Sequence, residues 1–111
     1  MRKLATLLLC LLLPVALVGC GGDAPRQSLT LEVIVTDPPG PTEEVTVPLG
    51  AEVTFEITTP KDDEAHLHGY EVEQEIPAGV PTKLTFVASM SGTFELESHV
   101  TDTVWLNVVV K

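Results

Sequence analysis

Cysteine is nearly absent from this chain of 111 residues. Its two cysteines, Cys10 and Cys20, both lie within the first twenty residues, so no thiol follows Cys20. A disulfide is therefore excluded from the region after Cys20, although disulfides survive in exported proteins. Any metal site in that region has to use nitrogen and oxygen ligands, because a thiolate ligand is missing.

Basic residues are also scarce. The chain has 6 lysines and arginines against 16 aspartates and glutamates, which gives a net charge of −10 at pH 7. Such an acidic surface repels phosphate backbones, so we predict that nucleic acid is not a partner. Cations and basic proteins are better candidates for a chain of this charge.

Long apolar runs are limited to the N-terminus. Arg2 and Lys3 precede an apolar stretch from Leu4 to Val18, which Pro14 interrupts. This stretch is shorter than the ~20 residues that a spanning helix needs, and its charged start is typical of a secretory signal peptide. We predict that residues 1–19 are this signal peptide, and its removal would leave a mature net charge near −12.

The segment Leu17-Val18-Gly19-Cys20 resembles the lipobox of bacterial lipoproteins. The resemblance implies that Cys20 becomes the N-terminus after cleavage, and that its sulfur and its amine are acylated with fatty acids such as palmitate. A single acyl chain anchors a protein only marginally, but several chains hold it on a membrane. We therefore expect the protein in the cell envelope, lipid-anchored to a membrane and facing the periplasm or the exterior. The alternative is a cysteine that only follows an apolar run.

Two regions follow the signal peptide. Residues 20–28 hold Cys20 and the run GGDAPRQS, whose glycine, proline and polar residues predict a flexible tether. Residues 29–111 are long enough for one hydrophobic core but not for two, which predicts a single domain.

Alternation of apolar and polar residues dominates residues 29–111. It is clearest in LTLEVIV, EEVTV and AEVTFEI, where apolar residues at every second position predict strands with one buried face. The closing run TVWLNVVV is apolar on both faces, which predicts a central strand, and alternation places Trp105 on its outer side. Because proline and glycine turns separate the runs and no stretch has a helical period, the pattern predicts an all-β Greek-key β-sandwich of about seven short strands.

Three histidines, His66, His68 and His99, stand near predicted strand ends. Residues two apart in a strand point to the same side, so His66 and His68 could reach one metal ion. The same alternation, extended along the strand, puts Tyr70 and Val72 on that side. Polar loop residues are the alternative interpretation of the histidines.

Other patterns that could carry chemistry are weak. The acidic runs Asp62-Asp63-Glu64 and Glu71-x-Glu73-x-Glu75 lack the spacing of a calcium loop, so we interpret them as solvated surface. Ser98 stands beside His99, but neighbouring strand residues point to opposite faces, so a nucleophile and base pair is not expected. The sequence has no phosphate-binding glycine loop and no nucleophile elbow. We therefore predict that the chain is not an enzyme.

The runs LHGYEVEQEIPAGV, TKLTFVASMSGTFELESH and WLNVVV resemble the second half of a cupredoxin domain, the Greek-key β-sandwich of small copper proteins. The resemblance implies that His68 corresponds to the first histidine ligand of that family. It also implies that Pro77 and Gly79 form the turn after the ligand strand, and that Gly92 and Phe94 begin the strand that leads to the remaining ligands.

The sequence departs from the cupredoxin pattern at the copper ligands. Ser98 or a neighbouring residue stands where the resemblance places the ligating cysteine, and no methionine follows His99. A blue copper site needs two histidines, a cysteine and a weak axial ligand, so this chain cannot build one. Three imidazoles with a carboxylate or with water would instead suit Cu(II) or Zn(II). The candidate metal ligands are His66, His68 and His99, with one of Glu64, Glu97 and Asp102.

Two main hypotheses follow for function. The first is a membrane-anchored cupredoxin-like lipoprotein that binds copper or another divalent metal through histidines, for storage, delivery or sensing. The second is a metal-free module of the envelope, with a structural role or a protein partner. An unrelated immunoglobulin-like sandwich also fits the strand pattern, but it explains the three histidines less well.

Overall fold

The computed structural model describes residues 26–111 of the chain. The predicted signal peptide, Cys20 and the first part of the predicted tether lie outside the described residues. Eight strands make up the described region: β1 (Ser28–Ile34), β2 (Glu43–Val47), β3 (Glu52–Thr58), β4 (Asp63–Leu67), β5 (Val72–Ile76), β6 (Thr82–Val87), β7 (Gly92–Ser98) and β8 (Val104–Val110). Within these residues the structure has no helix that is long and apolar enough to cross a membrane.

The eight strands form two sheets. One sheet has three strands in the order β1-β3-β6, and the other has five in the order β2-β8-β7-β4-β5. β1 pairs in parallel with β3 and β2 in parallel with β8, whereas the other neighbours are antiparallel. Since both sheets contribute to one hydrophobic core, the predicted all-β sandwich is confirmed, with one strand more than expected.

Alternation along β3 shows how the sequence builds the core. Val53, Phe55 and Ile57 are fully buried, while the residues between them stay partly exposed. Burial of each such side chain is worth about 1.5–3 kcal/mol. The ring of Phe55 stacks on that of Phe86 in β6, with 5.8 Å between the ring centroids. The five-stranded sheet completes the core with a second set of buried apolar residues, which includes Leu67, Ile76, Leu96, Val108 and Val110.

β8 lies between β2 and β7, which confirms the central strand predicted from its two apolar faces. Trp105 does not lie on an outer side, however. Glu97 pairs with Val104 and Leu96 pairs with Leu106, so Trp105 is the extra residue of a β-bulge. Its side chain is only 8% exposed and belongs to the core, because simple alternation fails where one residue is inserted.

The segment from His66 to Val72 is two strand ends joined by a tight turn. β4 ends at Leu67, residues 68–71 form the turn, and Val72 begins β5 directly opposite Leu67. Val72 and Tyr70 therefore pack against the core. The prediction that these two residues share a face with His66 was wrong, because the turn reverses the chain between them.

Gly69 fills a position in this turn where no other residue fits without strain. Its φ of +92° is one that residues with a side chain rarely adopt. A Cβ at this position would also lie 2.4 Å from Cδ1 of Phe94. The Phe94 ring has little freedom to move, because it packs edge-on against Tyr70 with 4.6 Å between the centroids.

We expect Gly69→Ala to destabilise the fold more than Gly50→Ala does. Gly50 is a matched control, since its φ is +93° but nothing lies within 4 Å of its added Cβ. Gly50→Ala should cost about 1–2 kcal/mol from backbone strain alone. Gly69→Ala should add about 1–3 kcal/mol for the contact with Phe94. Urea denaturation of both variants measures the difference, and equal losses would contradict the role of the Phe94 contact.

Candidate metal centre

The three histidines lie together on the outer face, which we define as the side of the five-stranded sheet that points away from the core. His66 lies in β4, His68 in the following turn and His99 directly after β7. The ring centroid of His66 is 4.3 Å from that of His68 and 5.4 Å from that of His99. His66 is the central member and is buried, with 8% of its surface exposed, whereas the other two are about half exposed.

The pleat of β4 explains why His66 points outward. Its neighbours Ala65 and Leu67 are fully buried in the core, so the side chain between them has to face the other side. In register, His66 lies opposite Glu73 of β5 and opposite Glu97 of β7. Directly opposite residues on one face of a sheet are in side-chain contact. A glutamate therefore lies beside His66 on each of the two neighbouring strands.

His66, His68 and Glu97 form the first group of ligand atoms. Nε2 of His68 contacts Oε1 of Glu97 directly, and Nδ1 of His66 lies 3.7 Å from the same oxygen. The ligand atoms of the three residues lie within 4.8 Å of one another. Only 14% of the Glu97 side chain is exposed, so its charge is held against the two imidazoles.

Glu71 orients the ring of His66. Oε2 of Glu71 lies 3.2 Å from Nε2 of His66, and Oε1 of Glu71 accepts a hydrogen bond from the backbone N–H of Gly69 at 3.1 Å. The hydrogen bond from Gly69 and the one from His66 lower the pKa of the Glu71 carboxyl below its ordinary value. An ionised carboxylate only accepts hydrogen bonds, so Nε2 of His66 donates this one, and Nδ1, which faces Glu97, is the nitrogen that remains for a metal ion. A carboxylate that fixes the tautomer of a histidine is a common partner of metal-binding histidines.

Glu64, Glu73 and His99 form the second group of ligand atoms. Nδ1 of His99 lies 3.4 Å from Oε1 of Glu64 and 3.8 Å from Oε1 of Glu73, and the three ligand atoms lie within 4.8 Å of one another. The backbone N–H of His99 donates a 2.7 Å hydrogen bond to the carbonyl of Glu64, which holds the segment after β7 against β4. This group is more exposed than the first, with about half of the His99 and Glu73 side chains in solvent.

Ser98, at or next to the position that the resemblance gives to the cupredoxin cysteine, lies on the opposite side of the sheet from the histidines. It is fully buried, and its hydroxyl donates a 2.7 Å hydrogen bond to Asp63. The same oxygen accepts hydrogen bonds from the backbone N–H groups of Val100 and Thr101, so it closes the turn after β7. A single ion could not contact both His68 and Ser98, whereas Glu97, the neighbour of Ser98, contacts His68 directly.

The structure thus brings His66 and His68 into one group and places His99 in the neighbouring one. Of the three carboxylates considered from the sequence, Glu97 and Glu64 lie in these groups, whereas Asp102 belongs to neither. Glu71 and Glu73, which we had interpreted as solvated surface, contact His66 or His99. Their alternation with apolar residues in β5 and the turn was visible in the sequence, but the strand register that sets them beside histidines was not.

Neither a family model nor a curated protein sequence matches the chain. Solved structures do resemble it. Fet3p, a multicopper oxidase that functions in iron import, matches with a TM-score of 0.62 and 16% identity over 77% of this chain and 23% of that one. A copper-binding protein in its apo form matches with a TM-score of 0.59 and 15% identity, over 78% of this chain and 97% of that one.

A mutant of amicyanin in its reduced Cu(I) form also matches, with a TM-score of 0.54 and 18% identity over 74% of this chain and 82% of that one. Identities this low show a common fold and nothing about the site. The fold of this chain is therefore a cupredoxin-like β-sandwich. The type of copper site that a cysteine would complete does not fit its residues, whereas the nitrogen and oxygen donors of the outer face fit a divalent ion of intermediate hardness.

We expect Ser98→Cys to give no intense blue colour with Cu(II), although it restores a cysteine near the family position. The new thiol would lie on the core side beside Asp63, away from the imidazoles of the outer face. Visible absorption after addition of Cu(II) to the purified variant tests this, with Ser98→Ala as the control without a thiol. A strong blue band from Ser98→Cys would show that the two faces can join in one site, and would contradict our assignment of the ligands.

Proposed function

We propose that this chain is a lipid-anchored protein of the cell envelope that binds Cu(II), or another divalent ion such as Zn(II), through histidines on a cupredoxin-like fold. The observation that carries the proposal is the convergence of His66, His68 and Glu97 on the outer face. His99 lies beside them, stacked on the ring of His66.

The ligand chemistry decides which ions fit. Two imidazoles and a carboxylate suit Zn(II) and Cu(II), whereas calcium and magnesium prefer shells made of oxygen. Among first-row divalent ions, a site of nitrogen and oxygen donors binds Cu(II) most tightly. The likeness of fold to a copper-binding protein and to amicyanin makes copper the first ion to test.

Storage, delivery or sensing of an ion suits this site better than electron transfer or catalysis. A blue copper centre uses a thiolate, and no cysteine follows Cys20. The side chains of His68 and His99 are 46% and 51% exposed. An ion held by such ligands would be open to solvent and to the ligands of a partner, which is what transfer of an ion between proteins requires.

The proposed anchor is the acylated Cys20, joined to the domain by the tether of residues 20–28. The acidic outer face would be repelled by anionic headgroups. This repulsion would turn the histidines away from the membrane surface and leave them accessible to ions.

We expect the full-length chain, purified in detergent without a histidine tag, to bind Cu(II) well above background. His68→Ala should weaken binding at least tenfold, since loss of an outer-shell partner alone costs about 10–100-fold at metal sites. Thr46→Ala, an exposed position on the outer face of β2, is the control and should bind as the wild type does. Isothermal titration calorimetry measures all three proteins, and parallel titrations with Zn(II) test the choice of ion.

Wild-type binding at background level would overturn the metal-binding proposal. Binding that neither His68→Ala nor His99→Ala weakens would overturn it as well. Either result would favour the second hypothesis, a metal-free module of the envelope.

We expect a bacterium that expresses the full chain and is fed labelled palmitate to incorporate the label at Cys20. Cys20→Ser should abolish incorporation, because serine offers no thiol for the first acylation. Cys10→Ser is the matched control and should keep the label, since Cys10 lies inside the predicted signal peptide. Label that survives Cys20→Ser, or a mature N-terminal peptide that carries no acyl mass, would disprove the lipid anchor. Neither result would bear on the proposed metal binding.

A further inference from the structure

The second group of ligand atoms does not merge with the first. His99 is not within ligand distance of the whole set formed by His66, His68 and Glu97, and instead forms its own set with Glu64 and Glu73. Resting on the metal-binding function above, we propose that the outer face holds two divalent ions side by side: a first ion on His66, His68 and Glu97, and a second ion on His99, Glu64 and Glu73.

One distance within the second group already matches that of a metal shell, and another is a few tenths of an ångström longer. A tetrahedral ion with ligands about 2.0–2.1 Å away has ligand atoms roughly 3.3–3.4 Å apart. Nδ1 of His99 is 3.4 Å from Oε1 of Glu64 and 3.8 Å from Oε1 of Glu73. Rotation of these two partly exposed carboxylates would bring their oxygens closer to the spacing of a metal shell.

Glu73 joins the two groups. Its Oε1 lies 3.8 Å from Nδ1 of His99 and 4.0 Å from Nε2 of His66, so one oxygen lies between the two histidines. The ring of His66 stacks on that of His99, with 24° between the ring planes. Two ions bound to these groups would therefore be neighbours on one surface, with the imidazole of His66 between them.

The charge of the outer face also favours the binding of more than one dication. Four carboxylates contact the histidines, namely Glu64, Glu71, Glu73 and Glu97. Among residues 26–111, one salt bridge is formed by a lysine or arginine. It joins Lys61 to Asp37, and neither residue is among those that contact the histidines. One bound dication would leave two of the four negative charges uncompensated, and a second dication would neutralise them.

The two ions should bind in a fixed order. The first group offers two imidazoles and the more buried carboxylate, whereas the second offers one imidazole and two exposed carboxylates. A site with more nitrogen donors holds Cu(II) and Zn(II) more tightly. The first ion should therefore fill His66, His68 and Glu97, and the second should follow at a higher concentration of metal.

Native mass spectrometry of the full-length, untagged chain during a titration with Zn(II) counts the ions directly. We expect two zinc ions on the wild type at saturation. Glu64→Gln and His99→Ala should each hold one, and this ion should keep the affinity of the tighter wild-type site. His68→Ala should lose the tighter ion and keep the weaker one. Glu44→Gln, the same charge change in β2, which two strands separate from β4, is the control and should keep two.

Titration with Cu(II) followed by electron paramagnetic resonance adds a test of distance. The spectrum should be that of an isolated Cu(II) during the first equivalent. During the second equivalent it should broaden through spin coupling between neighbouring ions. Glu64→Gln should abolish this broadening and leave the first spectrum unchanged.

Each failure points to a different error. A wild type that binds no ion would overturn the proposed function itself. A single ion that His68→Ala removes and Glu64→Gln leaves in place would keep the proposed function and overturn the second site. A single ion that His68→Ala and His99→Ala both remove would show one site shared by all three histidines, and would also overturn the two-ion proposal.

Discussion

The pleat of β4 is the constraint on which the candidate site depends. Ala65 and Leu67 are fully buried, and β4 is paired on both sides, with β5 and with β7. A shift of one residue would turn His66 into the core and Leu67 into solvent, so the hydrophobic effect fixes the register strongly. The same register sets Glu73 and Glu97 opposite His66. The core therefore orders the candidate ligands before any ion is present.

This arrangement concentrates negative charge where the fold alone would not need it. Carboxylates on three neighbouring segments of the outer face repel one another, and a solvated surface would normally intersperse lysines among them. The imidazoles relieve part of this repulsion through hydrogen bonds, of which the contact between His66 and Glu71 is the most buried. Carboxylates that repel one another around a nearly buried histidine produce a negative potential, and such a potential favours the binding of a cation.

Much of the fold could be predicted from the sequence, because it follows from local alternation. Val53, Phe55 and Ile57 were expected to point inward together, and they do. Prediction failed where the chain leaves the simple pleat. The turn at Gly69 reverses the chain between His66 and Val72, and the bulge at Trp105 inserts one residue into β8. Both features depend on pairing with another strand, which a pattern within one segment does not contain.

The candidate site was predictable in its histidines and in two of its carboxylates, Glu64 and Glu97. Residues two apart share a face, so His66 and His68 could be grouped from the sequence. Glu73 lies beside His66 through strand pairing, and Glu71 contacts it through the turn, so the sequence of a single segment does not reveal either contact. The resemblance to cupredoxins supplied the fold correctly. The sheet separates Ser98 from His68, whereas Glu97, the neighbour of Ser98, contacts His68.

In the proposed function, that separation would let the same fold hold an ion in a different way. In this chain the buried position at the end of β7 carries a serine whose hydroxyl joins Asp63 and the backbone of the next turn, so the interior is occupied by a structural hydrogen-bond network. The imidazoles lie on the other side, where solvent reaches two of the three. A metal enclosed between sheets is protected from exchange, which suits electron transfer, whereas ligands on an open face let an ion enter and leave. The proposed role in holding and passing on a divalent ion follows from this difference in accessibility.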